Sequence, residues 1–359
     1  MGWALSINKA DISDASLVKT ASQPLSDGQA RFAIRRFALT ANNITYAAFG
    51  AAMRYWDFYP AEDGSGRLPV WGFADVVETR APGLEVGERI YGYWPAADEA
   101  VLSVDAVKPG SFLEVSPHRA ELASAYNRYV RCQADPGYAP EREAAQMVLQ
   151  PLFITSFLID LHLRDHDFMG AGQITLTSAS SKTALALAHL LHANHPEGVQ
   201  IEALTSARNT DFVQSTGYYD TISTYDAIAD FKPEPRRLIV DFAGDSKVNK
   251  ALHETLADDL IGNIRVGGAH WENSAPPGAM PGPKPVFFFA PDHVRDRMKA
   301  WGSDEFGRRY GAAWMSFAGA GQKLFTEEEF DGGEGALAAY DALIGGDFDA
   351  ASAMTVKAG

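Results

Sequence analysis

Two short stretches of the chain contain the residue types that a chemical site needs. The first, SASSKTA at 178–184, combines hydroxyl groups with one ammonium group, and it stands between the strand-like segment QITLT and the helical segment KTALALAHLLHA. A strand, a tight turn and a helix are the arrangement in which a helix N-terminus receives a phosphate. The second, TANNITYAAFGAAMRYWDFYP at 40–60, brings an amide and several phenols together.

The hydroxyl-rich turn has three interpretations. In the first, the turn binds a nucleotide phosphate through its hydroxyls, its ammonium group and the unpaired N–H groups of the helix start; the residues concerned are Ser178, Ser180, Ser181, Lys182 and Thr183. In the second, Ser180 or Ser181 is a nucleophile that Lys182 activates, although adjacent residues at a helix start rarely face each other. In the third, serine only caps the helix and Lys182 points into solvent.

The next strand-like segment, VQIEALTSARNTDF, bears on the choice of nucleotide. NAD sites place Asp or Glu at the end of this strand, where the carboxylate binds the ribose 2′-hydroxyl. Thr205, Ser206 and Arg208 stand at that end here, whereas Glu202 falls two or three residues earlier and is predicted to lie within the strand. The set suits a 2′-phosphate, so we expect NADPH if a dinucleotide binds; the alternative is an ordinary surface turn.

The aromatic stretch at 40–60 supplies candidate catalytic groups. A phenol can donate a proton or a hydrogen bond to a developing enolate, which makes Tyr46 and Tyr55 candidates beside Asn43. Tyr93 and Trp94 of YGYWP are candidates for the wall of the same cleft. Because aromatic side chains also dominate protein cores, simple packing is the alternative for each of them.

Composition and charge exclude several classes of protein. The 359 residues suggest two domains, and 31 basic against 46 acidic residues give a net charge of −15. The chain has no basic run, so nucleic acid is not an expected partner. Cys132 is the single cysteine, which excludes an intrachain disulfide framework and fits a reducing cytoplasm. We found no window of about 18 apolar residues, so no membrane partner is expected either.

The pattern of the chain changes along its length. Residues 1–130 contain short β-type runs separated by turn residues, as in an all-β domain. From 147 to 272, apolar runs of four or five residues alternate with helical patterns, which predicts a parallel sheet covered on both faces. A Pro/Gly-rich loop at 273–285 precedes a final mixed segment.

In this order, five segments resemble the medium-chain dehydrogenase/reductase superfamily, in its zinc-independent quinone-reductase-like branch. They are FALTANNITYAAFG, LEVGERIYGYWP, LFITSFLID, VDFAG and ALAAYDALIGGDFDAA. The words TANNITY, YGYWP, SASSKTA and FFFAP also resemble a bacterial subfamily of unassigned function. The zinc-binding stretch of metal-containing members is replaced by VWGFADVV, which has no imidazole. The resemblance therefore implies a site without metal.

The resemblance implies an α/β fold in which a Rossmann domain, a doubly wound parallel sheet, interrupts a GroES-like β domain. The implied segments are 1–146, 147–280 and a return segment at 281–359. It also implies a homodimer, with the nicotinamide near Thr155 and a flat or apolar substrate against Asn43, Tyr46 and Tyr55. Aligned on the glycine-rich loop of the superfamily, Ser178, Ser181 and Ala184 take the three glycine positions; further candidate cofactor contacts are Tyr225, Gly244 and Gly267.

The expected function is NADPH-dependent, zinc-independent transfer of a hydride to an activated C=C bond or a quinone-type substrate. A second class competes with it: a non-catalytic relative that binds a small molecule or a protein partner and has lost the cofactor. The absence of glycine from the turn at 178–184 favours this alternative.

Overall fold

The computed structural model describes residues 2–61, 64–194, 197–232, 236–266, 280–346 and 348–359. The chain forms two compact units, one made of Met1–Pro151 with Phe325–Gly359 and the other of Leu152–Leu324. Gly267, a predicted cofactor contact, lies outside the described residues.

The first unit is built mainly from antiparallel strands. Its strands are β1 (Gly2–Asn8), β2 (Asp11–Thr20), β3 (Gln29–Ala38), β4 (Gly66–Arg67), β5 (Pro69–Thr79), β6 (Arg89–Pro95), β7 (Glu99–Lys108), β8 (Ser111–Glu114), β9 (Arg128–Arg131), β16 (Thr326–Asp331) and β17 (Ser352–Lys357). Its helices are α1 (Ala41–Ala48), the first part of α2 (Glu143–Asp165) and α8 (Gly332–Gly345).

The larger sheet of this unit closes on itself. Its order is β16-β17-β3-β5-β6-β9-β8-β7, and β7 also pairs with β3, so six of the strands form a barrel. Successive side chains of a strand point to opposite faces. In β6, Trp94 packs against Phe32 with ring centroids 5.1 Å apart, whereas Tyr93 packs against Trp71 at 5.1 Å. The two neighbouring aromatic residues thus belong to opposite faces of the barrel wall.

The second unit alternates strands with helices, as the apolar runs predict. Its strands are β10 (Gln173–Thr177), β11 (Gln200–Thr205), β12 (Thr221–Thr224), β13 (Arg237–Asp241), β14 (Leu260–Arg265) and β15 (Val286–Phe287). Its helices, besides the rest of α2, are α3 (Lys182–Asn194), α4 (Thr210–Thr216), α5 (Ser246–Leu256), α6 (Ala290–Trp301) and α7 (Ser303–Gly321). The strands are all parallel, in the order β12-β11-β10-β13-β14-β15. The predicted parallel sheet is confirmed.

Helix α2 is the longest apolar segment of the protein that the structure describes. The helical stretch Pro140–Asp165 is long and apolar enough to cross a membrane by length and composition, and 56% of its most apolar window is buried inside the protein. The sequence analysis did not anticipate such a segment. Within the second unit, Phe153 of α2 stacks on Phe317 of α7 at 5.5 Å and contacts Trp314 at 5.5 Å, so this part of the helix packs in a core.

Candidate functional site

The carboxyl ends of β10 and β13 form a candidate binding site in the second unit. The strand order runs one way from β10 to β12 and the other way from β13 to β15, so it reverses between β10 and β13. Open α/β sheets bind ligands at this kind of reversal. Thr177 ends β10, and its hydroxyl donates a 2.7 Å hydrogen bond to the carboxylate of Asp241, which ends β13. The two strands are therefore cross-linked where a ligand is expected.

Asp241 organises the turn that follows β13. Its Oδ1 accepts the backbone N–H groups of Ala243 and Gly244, both at 3.1 Å, and its Oδ2 accepts the amide of Asn249 at 2.6 Å. The buried carboxylate is thus satisfied on both oxygens by groups of the protein. Gly244, a predicted cofactor contact with a φ of +66°, is held at this edge of the sheet.

The turn after β10 contains no glycine, although its backbone conformation is one that usually requires glycine. Ser178, which takes the first glycine position, has a φ of +50°, in the left-handed region that glycine adopts at little cost. Its N–H donates a 2.9 Å hydrogen bond to the hydroxyl of Tyr225. Burial raises the pKa of Tyr225, so the phenol is protonated at neutral pH. The structure therefore brings two predicted site residues together.

The other serines of the turn are engaged locally. The amide of Asn209 donates to the hydroxyl of Ser180 at 2.9 Å, and the backbone N–H of Ala184 donates to the hydroxyl of Ser181 at 3.3 Å. Ser181 directly precedes α3 and acts as its N-cap, which is the role that the capping interpretation assigns to serine.

The first turn of α3 contains Lys182 and Thr183, which are both half-buried. Ser156 of α2 donates a 2.7 Å hydrogen bond to the backbone carbonyl of Thr183. Thr155, the residue implied to lie near the nicotinamide, is half-buried beside Ser156. The hydrogen bond of Ser156 thus fixes the helix that carries Thr155 against the turn.

No acidic residue stands at the end of β11. The Glu202 carboxylate lies inside β11, as predicted, where it pairs with Arg237 at 2.5 Å and accepts the hydroxyl of Thr175 at 2.7 Å. Ser206 is half-buried just after the strand, and Arg208 is exposed in the short turn Ala207–Asn209. Within the described residues Arg208 makes no ion pair. Its guanidinium is therefore available at the strand end where NAD sites carry an acid.

Glycine at position 178 should stabilise the protein. A non-glycine residue in the left-handed region costs roughly 1 kcal/mol, so we expect Ser178→Gly to raise the free energy of unfolding by about 0.5–1 kcal/mol. Ser180→Gly is the matched control, since Ser180 has no positive φ and loses its bond with Asn209; it should lower that free energy. Denaturant unfolding of both variants measures the difference. Equal destabilisation by the two substitutions would contradict the strain assigned to Ser178.

A further candidate site lies in the first unit, where Asn43 fixes the start of α1. The side-chain oxygen of Asn43 accepts the backbone N–H of Thr40 at 2.8 Å, and its amide donates to the carbonyl of Pro69 at 3.0 Å. Both ends of this buried side chain are therefore used in a capping box and in a contact with β5. A catalytic role for Asn43 stays a prediction; in the structure its effect is to place Tyr46, one turn later.

Tyr46 and Tyr55 meet in one aromatic cluster, which we call the phenol cluster and which consists of Tyr46, Tyr55, Phe58, Trp71, Tyr93 and Tyr126. The rings of Tyr46 and Tyr55 are 4.5 Å apart, and the ring of Tyr126 lies 6.4 Å from the first and 6.0 Å from the second. Burial raises the pKa of Tyr46 and of Tyr55 above that of an exposed phenol. Both hydroxyls are protonated at neutral pH and can act as donors.

The sequence analysis missed a buried ion pair beside this cluster. Arg119 pairs with Glu114 at 3.2 Å, with 2% of each side chain exposed, and donates to the carbonyl of Phe58 at 3.1 Å. The hydroxyls of Tyr59 and Tyr129 both donate to the carbonyl of Tyr93 at 2.5 Å. Nothing in the spacing of these residues indicates their contact, because it depends on the closure of the barrel.

The part of the chain that the structure describes contains no group of three or more His, Cys, Asp or Glu side chains placed to hold a metal ion. The zinc-independent character of the site stays a prediction.

Comparison with solved structures gives the fold. CurA of Vibrio vulnificus in complex with NADPH superposes with a TM-score of 0.61 at 14% identity, covering 99% of both chains. The yhdH oxidoreductase of Salmonella enterica in complex with NADP gives 0.55 at 15% identity, covering 100% of both chains. The quinone oxidoreductase of Coxiella burnetii gives 0.53 at 11% identity, covering 100% of this chain and 99% of that one. The fold is that of medium-chain dehydrogenases/reductases, with a GroES-like and a Rossmann part.

The comparisons also give the family. No curated protein matches the chain. The profile of a family described as "Protein of unknown function (DUF2855)" matches residues 37–349. That match spans most of the 359 residues, so the chain belongs to the DUF2855 family.

Proposed function

We propose that this protein is an NADPH-dependent, zinc-independent reductase that acts on an activated C=C bond or a quinone-type substrate. The observation that carries the proposal is the edge of the parallel sheet at the β10/β13 reversal. There α3 begins directly after a turn whose first residue has a left-handed backbone conformation. Lys182 and Arg208 supply positive charge, whereas the chain as a whole has a net charge of −15. Proteins of this fold have been solved with NADPH or NADP bound, which supports the same conclusion.

The residues of the second unit fit a dinucleotide. The left-handed Ser178 turns the chain sharply before α3, and the N-terminus of α3 would then face the pyrophosphate. Lys182 and Thr183 would bind the phosphates, Ser206 and Arg208 would bind the 2′-phosphate, and Thr155, Tyr225 and Gly244 would line the rest. Bound NADPH would supply the hydride.

The residues of the first unit would orient and polarise the substrate. Tyr46 and Tyr55 stay protonated at neutral pH because burial raises their pKa. A phenol fixed in an apolar surrounding can donate a hydrogen bond to a carbonyl oxygen as negative charge develops there. A phenol of this cluster would therefore act as a hydrogen-bond donor and not as a base.

One observation favours the second candidate, a relative without cofactor. The turn already satisfies several of its own polar groups, since Tyr225 accepts the N–H of Ser178 and Asn209 donates to Ser180. A turn whose polar groups are already hydrogen-bonded within the protein needs no phosphate for its stability. On this alternative the fold would bind a small molecule or a protein partner without turnover.

Turnover separates the two candidates. Purified protein should consume NADPH when a quinone such as 1,4-naphthoquinone or a simple enone is added, and chelators should leave the rate unchanged. A protein that binds neither nucleotide and leaves NADPH intact with both substrate types would support the cofactor-free alternative.

A substitution of Lys182 tests whether the turn binds a phosphate. If its ammonium group contacts a phosphate, Lys182→Met should weaken NADPH binding about tenfold and flatten the dependence of Kd on salt, because one screened charge pair is lost. Lys250→Met is the matched control, since Lys250 is an exposed residue of α5 that pairs with Glu254. Calorimetric titration at two salt concentrations measures both variants. Unchanged NADPH affinity in Lys182→Met would contradict the phosphate contact.

A further inference from the structure

Tyr93 carries a polar atom that the protein leaves without a partner. Its side chain is 0% exposed, and among the described residues no group hydrogen-bonds to its hydroxyl. A buried hydroxyl without a partner is unfavourable, because it loses its hydrogen bonds to water and gains none in the protein. Such a group is unusual in a native protein, and a ligand that accepts its hydrogen bond would explain it.

Hydrogen bonds to the backbone of Tyr93 hold this residue in place. The Tyr93 carbonyl accepts hydrogen bonds from the hydroxyls of Tyr59 and Tyr129, and Tyr129 is in turn contacted by Arg119 at 3.4 Å. These bonds fix the backbone of β6 at this residue. The ring of Tyr93 is therefore directed into the phenol cluster by a rigid wall.

The hydroxyl of Tyr46 differs from that of Tyr93 because it has a partner. It accepts the indole N–H of Trp71 at 3.4 Å. Among the phenols of the cluster, within the described residues, Tyr93 is the one whose fully buried hydroxyl has no hydrogen-bond partner.

We propose that the Tyr93 hydroxyl binds the carbonyl oxygen of a neutral, flat substrate, so that Tyr93, and not Tyr46 or Tyr55, makes the direct polar contact. The inference deepens the proposed function and rests on it for the reaction that follows binding. Tyr46 and Tyr55 then become positioning residues that hold the wall of the site.

The walls around Tyr93 indicate the class of the ligand. Its ring contacts Tyr46 at 5.6 Å, Phe58 at 5.4 Å, Trp71 at 5.1 Å and Tyr126 at 4.5 Å, which are all aromatic. The nearby charges of Arg119 and Glu114 neutralise each other behind the wall. A charged ligand would lose its hydration without gaining an opposite charge, whereas a quinone or an aryl enone would stack on these rings.

Access to Tyr93 has an obvious route. Trp71 and Tyr126 are half-buried, whereas Tyr46, Phe58 and Tyr93 are buried. Tyr126 belongs to the short 3₁₀ turn Ser124–Asn127 and covers the ring of Tyr93. A flat ligand would therefore reach the hydroxyl by taking the place of the Tyr126 ring.

The test compares two ligands that differ only in their carbonyl groups. Binding of 1,4-naphthoquinone and of naphthalene to the full chain without nucleotide is measured by calorimetry for wild type and Tyr93→Phe. Loss of one neutral hydrogen bond should weaken naphthoquinone binding about 3- to 10-fold and leave naphthalene binding unchanged. Tyr93→Phe should also melt about 2–4 °C higher, because an unsatisfied buried hydroxyl is removed.

Tyr129→Phe is the matched control for stability, since its hydroxyl is hydrogen-bonded; it should melt lower than wild type. The inference is overturned if wild type does not bind naphthoquinone, or if Tyr93→Phe binds it as wild type does. If Tyr93→Phe instead melts lower and binds both ligands more weakly, the hydroxyl is structural and the inference also fails. A Tyr93-dependent naphthoquinone site in a protein that never consumes NADPH would uphold the site and refute the reductase.

Discussion

Arg119→Met is expected to lower the free energy of unfolding by about 3–5 kcal/mol, which is a large share of the stability of an ordinary domain. The reason is the burial of its partner. Glu114 is 3% exposed, and removal of the guanidinium would leave a carboxylate in the protein interior without a counterion. The same substitution removes the donors to the Phe58 carbonyl and the Tyr129 hydroxyl. The first unit should therefore lose both stability and the fixed geometry of the phenol cluster.

Chemical denaturation followed by tyrosine and tryptophan fluorescence measures this effect. Arg54→Met is the matched control, because Arg54 pairs with Asp57 at 2.9 Å with about half of each side chain exposed. Exposed ion pairs contribute roughly 0–1 kcal/mol, so this variant should unfold almost as wild type does. The assignment of a buried, stabilising role to Arg119 is wrong if both variants lose the same small amount.

Arg208→Ala is expected to weaken NADPH binding roughly 10- to 100-fold while NADH binding hardly changes. A charge-assisted contact with a phosphate contributes on the order of 1.5–3 kcal/mol, and only NADPH carries a 2′-phosphate. Arg208 is exposed and lies just after the end of β11, where no carboxylate competes for it. The loss should therefore be confined to the phosphorylated nucleotide.

Titration of each nucleotide against wild type, Arg208→Ala and a control variant measures this selectivity. Arg308→Ala is a suitable control, since Arg308 is an exposed residue of α7 that pairs with Glu305. It should bind both nucleotides as wild type does. Equal losses of NADPH and NADH affinity in Arg208→Ala would refute the assignment of the 2′-phosphate contact.

The elements that position the site were predictable from local pattern. The buried strands β10, β11 and β13 are short segments rich in apolar residues, and burial on both faces fixes each of them as a strand. Glu202 was correctly placed inside β11 because alternation and run length locate the strand end at Thr205. The start of α3 at Lys182 follows from the serine before it and the helical periodicity after it.

Other features depend on contacts between distant parts of the chain and leave no local pattern. Asn43 was expected to lie against the substrate; that its side chain also closes a capping box and donates to the Pro69 carbonyl was not predictable. The positive φ of Ser178 could not be predicted from the sequence, because a serine rarely adopts a positive φ. The partnership of Arg119 with Glu114 and the isolation of the Tyr93 hydroxyl arise only when β6, β8 and β9 come together in the barrel.

The extent of the second unit also could not be predicted from local sequence pattern. The predicted boundary at 280/281 followed from a Pro/Gly-rich loop, whereas the compact unit continues to Leu324. Helix α7 belongs to it because Phe317 stacks on Phe153 and because Ser316 hydrogen-bonds to His189 of α3 at 3.2 Å. Side-chain packing of this kind is not visible in composition or in turn residues.

The most direct test of the proposed function is a titration of the wild-type protein with NADPH and with NADH, followed by nucleotide fluorescence at equal protein concentration. The account predicts saturable NADPH binding that is at least about tenfold tighter than NADH binding, because the Arg208 guanidinium and not a carboxylate follows the end of β11. Saturable binding of neither nucleotide would contradict it, and so would tighter binding of NADH.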